Sequence, residues 1–473
     1  MRITHLKQRI TSPTAALVLA TVALGPATSA LAQSERPSFK PLRYDEDWSL
    51  FEAGEDYWDG IKHVDLNEDG SWWASFGGSY RARGEAWQNF GFTETNDDAF
   101  LLSRLRLHGD FNFGENVRVF VTGKSSLASD RDLPGGRRGV DVDELALQNA
   151  FVDILFPIGE SNTLTARIGR QEFLFGKQRL ISPLPWSNSM RTWDAARFIL
   201  DLDNWRIDAF YSRYAAVQKY DFNDWQNGPD FWGVYANGKI GETNPIDLDL
   251  YFLGLNKKAA TFNGTSGEED RYTLGARLGG KFGDSGFNYD IEAAYQFGEV
   301  GSADISAYML ATKFGYTFKD VDWKPSVYVG FDYASGDDDA TDNEVGTFNQ
   351  LFPLGHAFYG FMDTVGRQNA IDLSTGFSFK PHKKVTVKTD LHFFWRAEES
   401  YALYNAGGGV VRGGAVGSSK EIGQEIDLTL VYKVDGHLSF QGGYSHFFAG
   451  DFTRDTGSND DVSWVYLQTV YKF

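Results

Sequence analysis

The stretch "KVTVKTDLHFFWR", 384–396, alternates strictly. Val385, Val387, Thr389, Leu391, Phe393 and Trp395 fall on one side; Lys384, Thr386, Lys388, Asp390, His392, Phe394 and Arg396 fall on the other. A period of two belongs to an extended strand whose faces meet different media. The pattern recurs along the chain. "LSRLRLHGDF" sets Leu105 and Leu107 against Arg104, Arg106, His108 and Asp110. "FNYDIEAAYQF" sets Tyr289, Ile291, Ala293 and Tyr295 against Asn288, Asp290, Glu292 and Gln296. "YTLGARLGGKF" sets Tyr272, Leu274, Ala276 and Leu278 against Thr273, Arg277 and Lys281. No long apolar stripe of helical period competes. About eighteen such segments begin near residues 72, 99, 117, 145, 163, 191, 204, 231, 246, 271, 287, 303, 325, 368, 384, 421, 437 and 461.

The links between segments fall into two sets that alternate. One is short: "GEN", "PIGESN", "LDN", "GETNP", "GDSG", "KDVDW", "PHK" and "VDG". The other is longer: "DRDLPGGRRGVDVDE", "FLFGKQRLISPLPWSNSMR", "QKYDFNDWQNGP", "KKAATFNGTSGEED", 336–367 and "EESYALYNAGGGVVRGGAVGSSK". Only the link near 298–303 breaks the long class. Short periplasmic turns and long outside loops predict an all-β fold, a transmembrane antiparallel β-barrel of about 18 strands of the outer-membrane porin type. A soluble propeller also has many strands, but predicts neither alternating link lengths nor a charged face opposite an apolar one. The last segment, "SWVYLQTVYKF", puts Val465, Leu467, Tyr471 and Phe473 on one face. It looks like the C-terminal aromatic strand by which bacterial outer-membrane proteins are assembled.

The N-terminus reads as a targeting segment. "MRITHLKQR" is basic, "AALVLATVAL" is apolar, and Ala30-Leu31-Ala32 is a small-x-small cleavage site. Its apolar core is shorter than the roughly 20 residues a membrane helix needs. Residues 1–32 are therefore expected to be a signal peptide, 33–71 a periplasmic or lumen-plugging lead-in, and 72–473 an outer-membrane barrel. An even strand count returns both ends to the periplasm. The outside face meets outer-membrane lipid and lipopolysaccharide.

A barrel of this size has an aqueous lumen, and the lining decides the cargo. The chain as a whole is acidic, with a formal net charge of −19. The early strands nevertheless point Arg81, Arg83, Arg104, Arg106, Arg118, Lys124, Arg167, Arg197 and Arg206 inward. The later strands offer Asp247, Asp249, Asp290, Glu292, Asp332, Asp372, Glu425 and Asp427, mixed with Lys384, Lys388 and Arg396. Guanidiniums bind carboxylates bidentately and stay charged, so a ladder of them would hand an anion from site to site. The same arginines could instead pair with lumen acids such as Asp110 and Asp153 and stiffen the wall. Lys177 and Arg179 lie in a loop that could fold inward and narrow the mouth. With Asp110, Asp153, Asp208, Lys388 and Arg396 they are the candidates for constriction or selectivity. Arg170 breaks the inward parity of Arg167 and needs a bulge or a place above the rim. The apolar loop "FNQLFPLGHAFYGFMDTVGRQN", 348–369, is expected to pack on neighbouring loops; folding into the lumen, or presenting Phe348, Phe352, Phe358 and Tyr359 to sugar rings, are its alternatives.

Enzyme chemistry finds no support in the sequence. There is no HExxH, no GxSxG and no cysteine, and the eight histidines are scattered. No catalytic residue, metal site or cofactor is expected. "DLNEDG", 65–70, has the start of a calcium loop, but Phe76 stands where the bidentate Glu belongs. No basic–aromatic segment of the mature chain suggests nucleic acid.

"IGRQEFLFGKQRLISPLPWSNSMRTWDAARF", 168–198, resembles the signature of the alginate-export porin family. "RYDEDWSLF" with "YWDGIKHVDLNEDGSWWASFGGSYRARGE", and the 348–369 loop, are similar to two further family motifs. The resemblance covers most of the chain. It implies an eighteen-stranded outer-membrane barrel with an arginine-rich conduit for an anionic polyuronate. On matching positions the conduit would be Arg81, Arg83, Arg104, Arg106, Arg167, Arg170, Arg191 and Arg197. Export would also imply a periplasmic export partner. The acidic later strands depart from a continuous positive lining. The expected function is thus passage of an anionic polysaccharide or oligosaccharide, alginate export first. Uptake of oligouronates or other small anions is the alternative. A surface-structural or adhesion barrel closed by its loops is the reading of another class, and a barrel enzyme with a rim Ser–His–Asx set is a third.

Overall fold

The computed structural model describes residues 36–226, 228–262, 264–339 and 341–473. The expected signal peptide lies outside them. Among the described residues, eighteen long strands follow one another: β1 Trp72–Gln88, β2 Asp98–Phe113, β3 Val117–Ala128, β4 Asp143–Ile158, β5 Asn162–Gln171 and β6 Trp193–Asp201. Then come β7 Trp205–Tyr214, β8 Asp230–Ile240, β9 Ile246–Phe262, β10 Thr265–Lys281, β11 Phe287–Val300 and β12 Ala303–Thr317. The ring is completed by β13 Ser326–Ala334, β14 Ala370–His382, β15 Val385–Trp395, β16 Glu421–Lys433, β17 Leu438–Ala449 and β18 Val462–Lys472. Each pairs antiparallel with the next, and β18 pairs back onto β1 from Ser79↔Lys472 to Gln88↔Ser463. Closure leaves no sheet edge, which a bilayer would not tolerate.

The outward face is apolar and exposed along every strand, as Leu105, Leu107, Ile168, Phe198, Leu274, Val329, Leu430 and Leu467 illustrate. Lipid, not water, is the medium that makes this stable. Aromatic pairs mark the two boundaries of the apolar band. Phe282–Tyr289, Phe287–Tyr316 and Trp323–Phe379 lie near the short turns; Trp232–Phe252 and Tyr272–Phe297 lie near the other rim.

One expected long loop is absent. The polar stretch 257–270 continues β9 and β10 as a projecting hairpin, with pairs such as Lys257↔Glu269 and Ala260↔Gly267 and a bulge between Lys257 and Ala260. Beyond the bilayer the outer face meets water rather than lipid, so the alternation that marks a strand disappears while the hydrogen-bond ladder persists; Phe262 still turns inward onto the apolar cluster. The link near 298–303 is short, as expected, at 301–302.

The interior is filled from both ends. Leu42 and Tyr44 of the lead-in are buried against the inward-facing Phe120 and Phe151. Val64–Asp65 adds a short antiparallel pairing to Ala74 and Trp73, and Trp58 stacks on Phe473 with ring centroids 4.3 Å apart. From the opposite side, residues 172–192 and 345–369 leave the ring and enter the lumen. Their Phe173, Phe175, Leu180, Ile181, Phe348 and Phe352 are buried in one apolar cluster with inward side chains of β8, β9 and β12.

Candidate functional site

The chain after β5 turns into the lumen at Glu172. This carboxylate is fully buried and accepts hydrogen bonds from Arg106 at 2.8 Å, Asn149 at 2.9 Å and Gln148 at 3.2 Å. The loop then crosses the barrel. Arg179 donates to Asp290 at 2.6 Å and Glu292 at 3.0 Å on β11. At the far end of the loop, Arg81 of β1 donates to the carbonyls of Pro185, Trp186 and Ser187 and to the Asn188 amide oxygen, all at 2.9–3.0 Å. Arg104 of β2 takes the Pro185 and Ser187 carbonyls at 3.1 and 2.7 Å. Arg83 takes the Trp186 carbonyl at 3.0 Å, pairs with Glu85 at 2.8 Å and lies over the Trp186 ring. The Asn188 amide returns three bonds to the carbonyls of Ser103, Leu127 and Asp141.

The second loop docks on the first. Phe352 N–H donates to the Leu180 carbonyl at 2.9 Å, Ser182 N–H to the Phe352 carbonyl at 2.8 Å, and Leu354 N–H to the Gln178 carbonyl at 2.9 Å. His356 stacks on Trp186 with centroids 3.9 Å apart. The later wall holds the other side: Met362 N–H donates to Glu425 at 2.9 Å, Phe361 N–H to Asp427 at 3.3 Å, and Arg367 to Asp332 at 2.9 Å. The 348–369 loop is therefore both packed on a neighbouring loop and inside the barrel. Phe348, Phe352 and Tyr359 are buried and Phe358 lies under the Arg179 guanidinium.

Three early arginines form ion pairs along the wall. Arg167 binds Asp153 through two bonds of 2.7 Å, Arg118 binds Asp110 through two of 2.7 Å, and Arg197 binds Asp208 at 2.7 Å. Arg206 shares Asp208 at 3.1 Å. Asp110, Asp153 and Asp208 are thus wall ties. Arg81, Arg104 and Arg191 differ: among the described residues their acceptors are neutral oxygens only, Arg191 reaching the Pro353 carbonyl at 2.7 Å. Burial pulls the Arg191 guanidinium down to about 10, with Tyr214 opposing. For Arg179 burial acts the same way, but Glu292, Asp332 and Asp290 outweigh it and hold the group above its ordinary value.

Two sequence assignments are corrected. Arg170 does not line the lumen. β5 keeps its register through Ala150↔Arg170, so the side chain lies on the outer face at the strand's end. There Asp194 binds it through two bonds of 2.8 Å and the Asn223 carbonyl accepts at 2.9 Å, so no bulge is needed. Arg396 is fully buried within an outer loop, donating to the carbonyls of Glu399, Tyr401, Ser418 and Ser419. It ties the 396–420 loop together and cannot meet a solute. Lys177 and Lys388 are exposed.

A cavity of about 840 Å³ remains between the lead-in, the crossing loop and β6–β10. Lys177, Arg197, Arg206, Lys239 and Arg277 contribute cations to its lining; Asp45, Asp201, Asp203, Asp208, Asp247 and Asp249 contribute acids. Sequence reasoning missed Lys239 and Asp45 as lining groups. Parity could have found Lys239 on β8; nothing local marks Asp45.

The family model described as Alginate export matches residues 72–465. No curated protein matches the sequence. Among solved structures, the chain is similar to three Pseudomonas aeruginosa barrels. OccK3 (OpdO) is 14% identical with a TM-score of 0.55, covering 86% of this chain and 97% of that one. OccK8 (OprE) is 13% identical with a TM-score of 0.55, covering 85% and 98%. OccK2 (OpdF), solved in complex with glucuronate, is 12% identical with a TM-score of 0.53, covering 84% and 98%. The closed antiparallel ring of eighteen strands is an outer-membrane porin barrel, and the bacterial outer membrane is its place.

Proposed function

We propose that this chain, which belongs to the alginate export family, passes an anionic polysaccharide through its lumen, alginate first. The observation that carries this reading is the charge left uncompensated around the crossing loop. Arg81, Arg104 and Arg191 hold neutral oxygens, so their positive charge is not cancelled locally. On another stretch of the wall, Lys177, Arg206 and Lys239 open into the cavity. Guanidiniums fixed this way act by field more than by contact. They lower the barrier to an anion without holding it, while exposed ammonium groups meet its carboxylates in passing. The tied ladder of Arg106, Arg167 and Arg197 keeps that field in place. No bond is made or broken in the cargo, and a periplasmic partner delivering polymer would give the flow its direction.

A second reading has its own observation. The two docked loops fill the middle of the lumen with buried side chains, which suits a monomer or short oligouronate better than a long polymer. The glucuronate held by OccK2 favours the same size class. Planar bilayers separate the readings. The full protein is expected to be anion-selective in a salt gradient, and alginate oligomers added on the periplasmic side are expected to block it more strongly than glucuronate does. Cation selectivity with no uronate effect would refute both readings; block by glucuronate alone would select the second.

A further inference from the structure

The lead-in carries "RYDEDW", 43–48, into the barrel. Tyr44 is its anchor. Its ring sits between Phe120 and Phe151 at centroid distances of 5.5 and 5.1 Å, and its hydroxyl donates to the Glu172 carbonyl at 2.7 Å. Arg118 donates to the Tyr44 carbonyl at 2.7 Å, and the Arg167 guanidinium lies 4.5 Å from the Tyr44 ring centre. Arg43 pairs with Glu46 at 2.6 Å and donates to the carbonyls of Gly78 and Phe473 at 3.0 Å, which locks the segment to the seam between β18 and β1. The next residue, Asp45, is thereby presented to the cavity it shares with Lys177, Arg197 and Arg206.

The other acids near these arginines sit on strands and are bonded. Asp153 takes Arg167, Asp110 takes Arg118, and Asp208 takes Arg197 and Arg206. The Asp45 carboxylate has no hydrogen-bond donor among the described residues, although Arg167, Arg206, Arg197 and Arg118 all act on it electrostatically. Its side chain is exposed on the cavity. We infer that the guanidiniums of Arg197 and Arg206, which line the cavity together with Asp45, form a carboxylate site, that Asp45 stands in it as an internal substitute, and that the carboxylate of an incoming sugar acid competes with Asp45 for it. Burial outweighs the four guanidiniums and pushes the Asp45 carboxyl up, so the substitute is weakly held. Weak holding is what a transport site requires, since a tight internal ligand would close the path. The inference rests on passage of uronates and names the place where the sugar acid is met.

The test uses the full chain in planar bilayers with Asp45→Asn, and Asp47→Asn as control. Asp47 is an exposed acid that caps Ser49 and takes no part in the cavity lining. Asp45→Asn is expected to move the reversal potential in a KCl gradient toward the anion potential. It is also expected to lower the glucuronate concentration giving half-block by about threefold or more, the effect of removing one nearby competing charge. Asp47→Asn is expected to change neither. Equal half-block for Asp45→Asn and wild type, or equal shifts from both variants, would overturn the inference. If alginate blocks all proteins alike, this inference fails while polymer passage stands. If alginate blocks none but glucuronate blocks Asp45→Asn more strongly than wild type, the inference stands while polymer passage fails.

Discussion

Glu172→Ala is the perturbation that probes the crossing loop most directly. Glu172 has no exposed surface, and its carboxylate is the acceptor for Arg106, Asn149 and Gln148. The substitution leaves a buried guanidinium without its carboxylate and two amides without an acceptor. Breaking a buried ion pair from one side costs about 3–5 kcal/mol. At about 1.4 kcal/mol per factor of ten, the ratio of docked to released loop should fall roughly a hundred- to a few-thousand-fold. The barrel itself should survive, because its strand ladder does not involve residue 172. Release is local, since Arg81 and Asn188 still hold the far end of the loop. The expected phenotype is a channel of unchanged heat stability with rapid conductance steps above the wild-type level, read in single-channel records. Arg106→Met combined with Glu172→Gln removes the charge pair while keeping an acceptor for Asn149 and Gln148, so it should restore most of the quiet state. Wild-type noise in Glu172→Ala, or a double variant noisier than the single one, would refute the idea that this pair pins the loop.

Lys177→Glu and Lys388→Glu act on exposed ammonium groups. Each should shift selectivity toward cations while changing thermal stability by less than about 0.5 kcal/mol; a shift from neither would move the anion path elsewhere. Arg396→Ala unties the five oxygens held in the 396–420 loop and should make that loop cleavable by external protease with selectivity unchanged. Arg191 has a folded-state value near 10, below the ordinary arginine value, so its buried charge opposes folding at neutral pH. That cost is complete below about 10 and relaxes as pH rises from there toward the ordinary value. Arg191→Met should therefore be neutral or stabilising in a thermal melt at pH 8; a lowered melting temperature would contradict this.

The strands were legible because each answers to a local rule. Lipid on one side and charge on the other force a period of two, and short turns must follow at the periplasmic ends. The exception, 257–270, shows the limit: where the hairpin leaves the membrane the outer face loses its lipid and the rule loses half its force. The site was legible only by composition. Arg81 finds its acceptors more than a hundred positions away, and those acceptors are mostly carbonyls, which every residue possesses. Arg179 and Glu292 are similarly remote. Arg396 looked like a lumen group because charge near a strand's end does not say whether it faces the lumen, the rim or a loop interior; Arg170 broke the inward parity, and only the family resemblance set it in the lumen. The crossing of the 172–192 and 348–369 loops left one trace in the sequence, an excess of large apolar residues where an outside loop should be polar.

The crossing loop draws its contacts from both halves of the chain. Its far end hangs from Arg81 and Arg104 on the first two strands, Arg179 needs β11, and the loop that covers it comes after β13. The two halves of the constriction therefore come from opposite walls and meet only in the closed ring. The narrow waist of this pore is a product of closure: an open sheet of the same strands would carry both loops but not the contacts that set them.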